Sequence, residues 1–237
     1  MDGKTYSLIE NYMASCMDDS AHDKEHIYRV LYNALDIAET ESRVDQDILI
    51  TACLLHDIGR GEQLRNPNVC HALAGGDMAY KFLTENGFGA DFAENVRHCI
   101  RAHRFRKSEP PQSMEAKILF DADKLDVSGA VGIARTLIYR GTVGEPIYSV
   151  LSDGTVSDGT DDTESSFFKE YKFKLEKLYD KFYTQRGWEL AKNRRKHAVE
   201  FYGNLLGEVR ESYEKGRERL SEIIMPSDIQ TDNQKGE

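Results

Sequence analysis

Between Asp45 and Asp57 the chain reads DQDILITACLLHD, where Ile48, Leu49, Ala52, Cys53 and Leu55 leave little polar surface before a histidine and an aspartate arrive together. A segment apolar on most sides has to be buried, so this one is predicted to be a central helix, ended by Gly59 and Gly61. Other helices must then wrap it. A carboxylate at the end of a buried helix is also costly unless a cation or good hydrogen bonds compensate it.

The rest of the chain carries the helical period. Ile27, Val30, Leu31, Ala34, Leu35 and Ala38 form the apolar stripe of a helix from Asp23 to about Thr40. Further helices are predicted from His71 to Glu85, with Asn86-Gly87 as the stop, and from about Asp91 to His103. Pro110-Pro111 breaks the chain before another, from Ser113 to about Asp126. The acidic, turn-rich stretch 152–162, SDGTVSDGTDD, reads as a solvated loop; a calcium loop would need alternating ligands and a closing glutamate that are missing. Two long helices are expected after it, about Glu164 to Tyr183 and Gln185 to Ile224, parted at Thr184 or Gly187. The expectation is one all-α domain over residues 1–225, with a core at about 20–145, a C-terminal long-helix extension at 164–224 and a disordered tail at 226–237.

Charge limits the partners. Against 31 Lys and Arg stand 41 Asp and Glu, a net charge of −10, which disfavours a nucleic acid polymer or an anionic membrane. A small anionic substrate remains open, because a bound metal can reverse the local field. No run approaches the roughly 20 apolar residues that span a bilayer. The start, MDGKTYSLIENYMASC, lacks a basic-then-apolar signal pattern, and the four cysteines form no CxxC pair, so a cytoplasmic protein with reduced thiols is expected.

Neighbours on a helix point about 100° apart, so His56 and Asp57 could hold one ion only from adjoining edges, and further ligands must come from other helices. His26, in AHDKEHIYRV, and Asp123, in ILFDADKLD, are the visible candidates. Asp126 shares a helical face with Asp123, whereas Asp121 points elsewhere. Mixed imidazole and carboxylate ligands suit Mn²⁺, Fe²⁺, Co²⁺, Ni²⁺ or Zn²⁺. Such an ion acidifies bound water and polarises a phosphoryl oxygen, which phosphoester hydrolysis needs.

In the order His26, His56-Asp57, Asp123, these residues resemble the H…HD…D signature of the HD superfamily of metal-dependent phosphohydrolases. HDKEHIYRV, LLHDIGR, IRAHRFR and DADKLDVSGAVGIAR are similar to one branch, small bacterial HD proteins thought to hydrolyse nucleotides; the likeness spans roughly residues 20–210. It implies an all-helical HD core, a divalent metal (Mn, Fe, Co, Ni, Zn or Mg) on His26, His56, Asp57 and Asp123, and a small phosphorylated substrate, a nucleotide, hydrolysed through a metal-activated water. His71 and His103 match positions where some relatives hold a second metal, with an N-cap or substrate contact as the alternative for His71. His98, five residues before His103 and so about 140° around the helix, cannot face the same centre. Arg60 is the candidate to clamp a phosphoryl oxygen and Glu62 the candidate general base. Asp121 and Asp126 are expected either to support the ligands or to be structural, rather than to be ligands. Arg29, Arg104, Arg106, Lys107 and Lys124 flank the motifs, and Lys192, Arg194, Arg195 and Lys196 lie on the last helix, either reaching the site or forming an exposed face. His22-Asp23 is read as a decoy at a helix entry. Relatives tend to carry a histidine where this chain has YKFKLEKLYDKF, so substrate choice is where the likeness is thinnest. A two-metal nucleotide phosphodiesterase and a non-catalytic nucleotide-binding module are the alternatives, and a homodimer stays open.

Overall fold

The computed structural model describes residues 1–17, 24–104 and 109–224. The His22-Asp23 pair, Arg106, Lys107 and the 226–237 tail fall outside them. Helix α1 (Gly3–Cys16) starts where the Asp2 carboxylate accepts the Thr5 N–H at 2.8 Å, and it lays Ile9 and Met13 on the core. Helix α2 (Lys24–Ala38) buries Ile27, Val30, Leu31 and Ala34 of the stripe read from the sequence, with His26 on the same face; Leu35 and Ala38 are only half-buried, and Ile37, outside that stripe, is buried instead. Helix α3 (Gln46–Leu55) is capped by Asp45, which accepts from the N–H groups of Asp47 and Ile48. It is the hub, packing against α1, α2, α5, α6 and α7.

The ending of α3 differs from expectation. The helix stops at Leu55, before either glycine, and Gly59 instead precedes a short α4 (Arg60–Arg65) that contains Gly61. The need for glycine at 59 is steric: a Cβ there would lie 2.3 Å from the His71 carbonyl oxygen and 2.6 Å from the Gly75 nitrogen. That approach sets the start of α5 (His71–Glu85) against the end of α3.

Helix α5 packs along α6 (Ala90–Ala102), and α2 along α7 (Met114–Asp126), which Ser113 caps. Helix α8 (Gly129–Thr142), like α1, goes beyond the sequence expectation; three glycines give it poor intrinsic propensity. Packing holds it: Gly129, at φ +65°, donates its N–H to Tyr179 Oη at 3.0 Å, and a Cβ there would meet Arg194 Cβ at 2.8 Å.

The helix expected over Glu164–Tyr183 is broken. A single turn, α9 (Phe167–Glu170), runs into a π turn at Tyr171–Leu175 and a 3₁₀ turn at Leu178–Asp180. The widened turn lets Phe167, Phe168, Tyr171, Leu175 and Tyr179 all turn inward. Tyr171 stacks on Tyr202 of α10 (Gln185–Ile224) at 4.0 Å between ring centres. The 152–162 stretch is not the solvated loop expected: Val156, Ser157, Gly159 and Asp162 are buried, and Val156 forms an isolated antiparallel bridge with Val150; the described residues contain no strand, so the fold is all-α. Among them no helix is long and apolar enough to cross a membrane.

Candidate metal centre

The ends of α3, α6 and α7, the start of α5 and the first turn of α2 meet at one point. There the Nε2 atom of His26 lies 3.3 Å from His56 Nε2, 3.4 Å from Asp123 Oδ1 and 3.6 Å from Asp57 Oδ2. On the other oxygen of Asp57, His71 Nε2 is 3.4 Å and His103 Nε2 3.7 Å from Oδ1. Two groups therefore stand side by side, His26 with His56 and Asp123, and His71 with His103 and Asp57, each with its ligand atoms within 4.8 Å of one another. Ligands about 2.1 Å from one ion sit some 3–3.5 Å apart, so small movements would close either group on a cation. All four residues placed together from the sequence meet here, and His71 and His103 join them. His98 belongs to neither group.

The four imidazoles share an orienting logic. Nδ1 of His26 donates to Asp126 Oδ2 at 2.7 Å, that of His56 to the Cys53 carbonyl at 2.7 Å, and that of His103 to the Ile100 carbonyl at 2.5 Å. With Nδ1 carrying the proton, the Nε2 atoms of His56 and His103 turn lone pairs inward, while the acids around His26 favour a second proton on its Nε2, one that a bound metal would displace. His71 Nδ1 has two neighbours, Gln63 Oε1 at 2.8 Å and Arg104 Nη1 at 3.0 Å, and its buried Nε2 has no hydrogen-bond partner.

Electrostatics ask for a cation. Burial works against a charged His26, yet Asp123, Asp126 and Asp57 outweigh it and hold its pKa up to about 10. Burial likewise opposes ionisation of Asp57 and Asp123, but the surrounding imidazoles, with Arg60 beside Asp57, hold both carboxyls well below the usual range. Burial pushes the fully enclosed His56 down to about 4, keeping it neutral as a ligand must be. Converging lone pairs, ionised carboxylates and an unpartnered buried nitrogen together fit a divalent metal.

The surrounding residues divide cleanly. Asp126, 1% exposed, accepts from His26, from Arg29 through Nε at 2.7 Å, and from Arg135 at 2.5 Å. Asp121 faces the other way and anchors the start of α10, accepting the N–H groups of Tyr183 and Thr184 and the Thr184 hydroxyl. Arg60 donates from Nε to Asp57 Oδ1 at 3.0 Å and is about a third exposed. Glu62 is turned outward, where its exposed carboxylate accepts from Arg65 at 2.6 Å. Lys124 donates to the Lys181 carbonyl, and Arg194 to the Leu125 carbonyl and Asn33. Sequence reasoning missed Gln63, Arg135 as the partner of Asp126, and the two orienting carbonyls, since none of them has a motif.

An all-helical bundle whose core helix ends in His-Asp, completed by a histidine before it and an aspartate after it, defines a class. A family model described as the HD domain matches residues 24–128, and the chain belongs to the HD superfamily of hydrolases. Among particular proteins, it is 31% identical over 208 residues to the uncharacterized protein YpgQ of Bacillus subtilis, covering 85% of this chain and 92% of that one. A crystal structure of YpgQ in complex with ADP superposes with a TM-score of 0.66 at 29% identity, over 86% of this chain and 97% of that one. A predicted HD superfamily hydrolase from an uncultured Thermotogales bacterium gives a TM-score of 0.57 at 32% identity, covering 84% and 90%.

Proposed function

We propose that this protein is a metal-dependent phosphohydrolase acting on a small phosphorylated substrate, a nucleotide. The observation that carries the reading is the convergence of four imidazole Nε2 atoms on the two oxygens of Asp57, with Asp123 beside them. In this reading His26, His56, Asp57 and Asp123 hold a divalent ion. Bound there, such an ion acidifies a water and polarises a phosphoryl oxygen. Asp126 fixes the His26 ring, and the carbonyls of Cys53 and Ile100 fix His56 and His103. Arg60 steadies the Asp57 carboxylate and keeps its remaining N–H groups for phosphoryl oxygens, where they offset the charge. Support for a nucleotide comes from the relative YpgQ, solved with ADP.

A two-metal phosphodiesterase is the second reading, favoured by His71 and His103 standing on the other oxygen of Asp57. The test is metal content per chain on protein purified without chelator, followed by turnover of nucleoside mono-, di- and triphosphates and of cyclic and linear diesters with Mn²⁺, Co²⁺, Ni²⁺ and Mg²⁺. His56→Ala and Asp57→Ala should lose metal and activity together. Turnover by metal-free variant protein refutes the hydrolase reading, and nucleotide binding without product under every metal would leave a binding module.

A further inference from the structure

His71, like His26, has two neighbours on Nδ1 that make opposite demands; at His26 the Asp126 carboxylate, at 2.7 Å against 3.1 Å for Arg135 Nη1, settles the proton on Nδ1, whereas at His71 no carboxylate faces Nδ1. The Gln63 Oε1 atom, 2.8 Å away, can only accept, so its bond requires a proton on Nδ1 and leaves Nε2 with a lone pair. The Arg104 guanidinium, 3.0 Å away, can only donate, so its bond requires the lone pair on Nδ1 and puts the proton on Nε2. A neutral imidazole cannot satisfy both, and the second arrangement aims an N–H at the place where an ion would sit. The buried, partnerless Nε2 lies 3.4 Å from Asp57 Oδ1, so the tautomer at His71 decides whether this half of the centre can close. The exchange moves one proton across the ring and leaves the net charge unchanged.

We propose that Gln63 and Arg104 act as competing positioning residues on His71, and that a phosphoryl group drawing Arg104 to itself releases His71 to ligate. The second group would then be completed when substrate arrives. Resting on the hydrolase reading for its anion, this gives the site a substrate-dependent second ion. Arg104 is suited to the role because it lies against His71, whose other ring nitrogen is 3.4 Å from Asp57, and because guanidinium groups pair with phosphate oxygens bidentately.

The experiment reads the ring directly. In full-length ¹⁵N-labelled protein carrying one equivalent of diamagnetic Mg²⁺, the His71 ring nitrogens should report a mixture of tautomers. Arg104→Met should shift it to the Nδ1–H form, and Gln63→Met to the Nε2–H form. Gln63→Glu, whose carboxylate is acceptor only, should match Arg104→Met. Calorimetric titration with Mn²⁺ should show the second ion weakened roughly 10–100-fold by Gln63→Met, the usual range for losing a ligand's outer partner, and not by Gln63→Glu, with the first ion unchanged. Inorganic phosphate should move wild-type His71 toward the Nδ1–H form and leave Arg104→Met where it starts. Identical ring spectra in wild type and both methionine variants overturn the competition; a wild-type spectrum indifferent to phosphate overturns the release. Neither readout involves turnover, so absent hydrolysis would sink the functional reading and leave this one standing.

Discussion

Asp126→Asn is the sharpest probe of how the centre is built. The carboxylate it removes is 1% exposed and accepts from His26 at 2.7 Å, from Arg29 and from Arg135. An asparagine oxygen keeps the shape and can still accept from one donor, but it loses the charge that makes His26 a strong ligand. Loss of such an outer partner costs about 10–100-fold in metal affinity. The stability cost should be smaller than the roughly 3–5 kcal/mol of breaking a fully buried ion pair, because Arg29 and Arg135 are each about a third exposed and can turn to water. We expect about 1–3 kcal/mol, the range for buried polar groups that lose a partner. The control sits five residues earlier on the same helix. Asp121→Ala removes the acceptor for three donors at the start of α10, so it should cost about 3 kcal/mol and leave metal affinity unchanged. Urea unfolding and calorimetric Mn²⁺ titration of both variants make the comparison. Wild-type metal affinity in Asp126→Asn, or a metal defect in Asp121→Ala, would refute the division of labour between the two aspartates.

Three further outcomes follow from the same geometry. Gly59→Ala should cost about 3 kcal/mol in a thermal melt, because its Cβ would sit 2.3 Å from the His71 carbonyl, a backbone atom that cannot step aside; an unchanged melting temperature contradicts the close approach. Glu62→Gln should keep kcat within about twofold, since removing a surface pair such as Glu62–Arg65 costs little, whereas a drop of two orders of magnitude, the contribution of a general base, would put Glu62 into the chemistry. Burial pushes the Cys53 thiol well up and Cys99 up to about 12, so neither forms appreciable thiolate at pH 8. Iodoacetamide should therefore label the half-buried Cys16 and Cys70 first and reach Cys53 and Cys99 only after denaturation, read by mass spectrometry.

The sequence by itself determined most of the helical architecture from Lys24 to Asp126 and pointed to the four residues that meet at the centre. A buried helix must show its apolar stripe, and a buried His-Asp pair needs partners, so both leave a mark on the order of residues. The expected starts at Asp45 and Ser113 proved to be caps, and His71–Glu85 was legible end to end, because its start and stop signals are local. What only the tertiary structure decided depends on contacts distant in sequence. The two glycine-rich turns of α8 stand because Tyr179 and α10 hold Gly129, and the break at Tyr171–Leu175 follows from the stack on Tyr202. The same holds at the centre: the likeness left His71 and His103 without a settled role, and folding set them on the second oxygen of Asp57. Which nitrogen of each ring faces inward is fixed by an aspartate 100 residues away, by carbonyls three residues back, and by Gln63 against Arg104. Hydrogen-bond direction is a property of assembled neighbours, and no pattern along the chain encodes it.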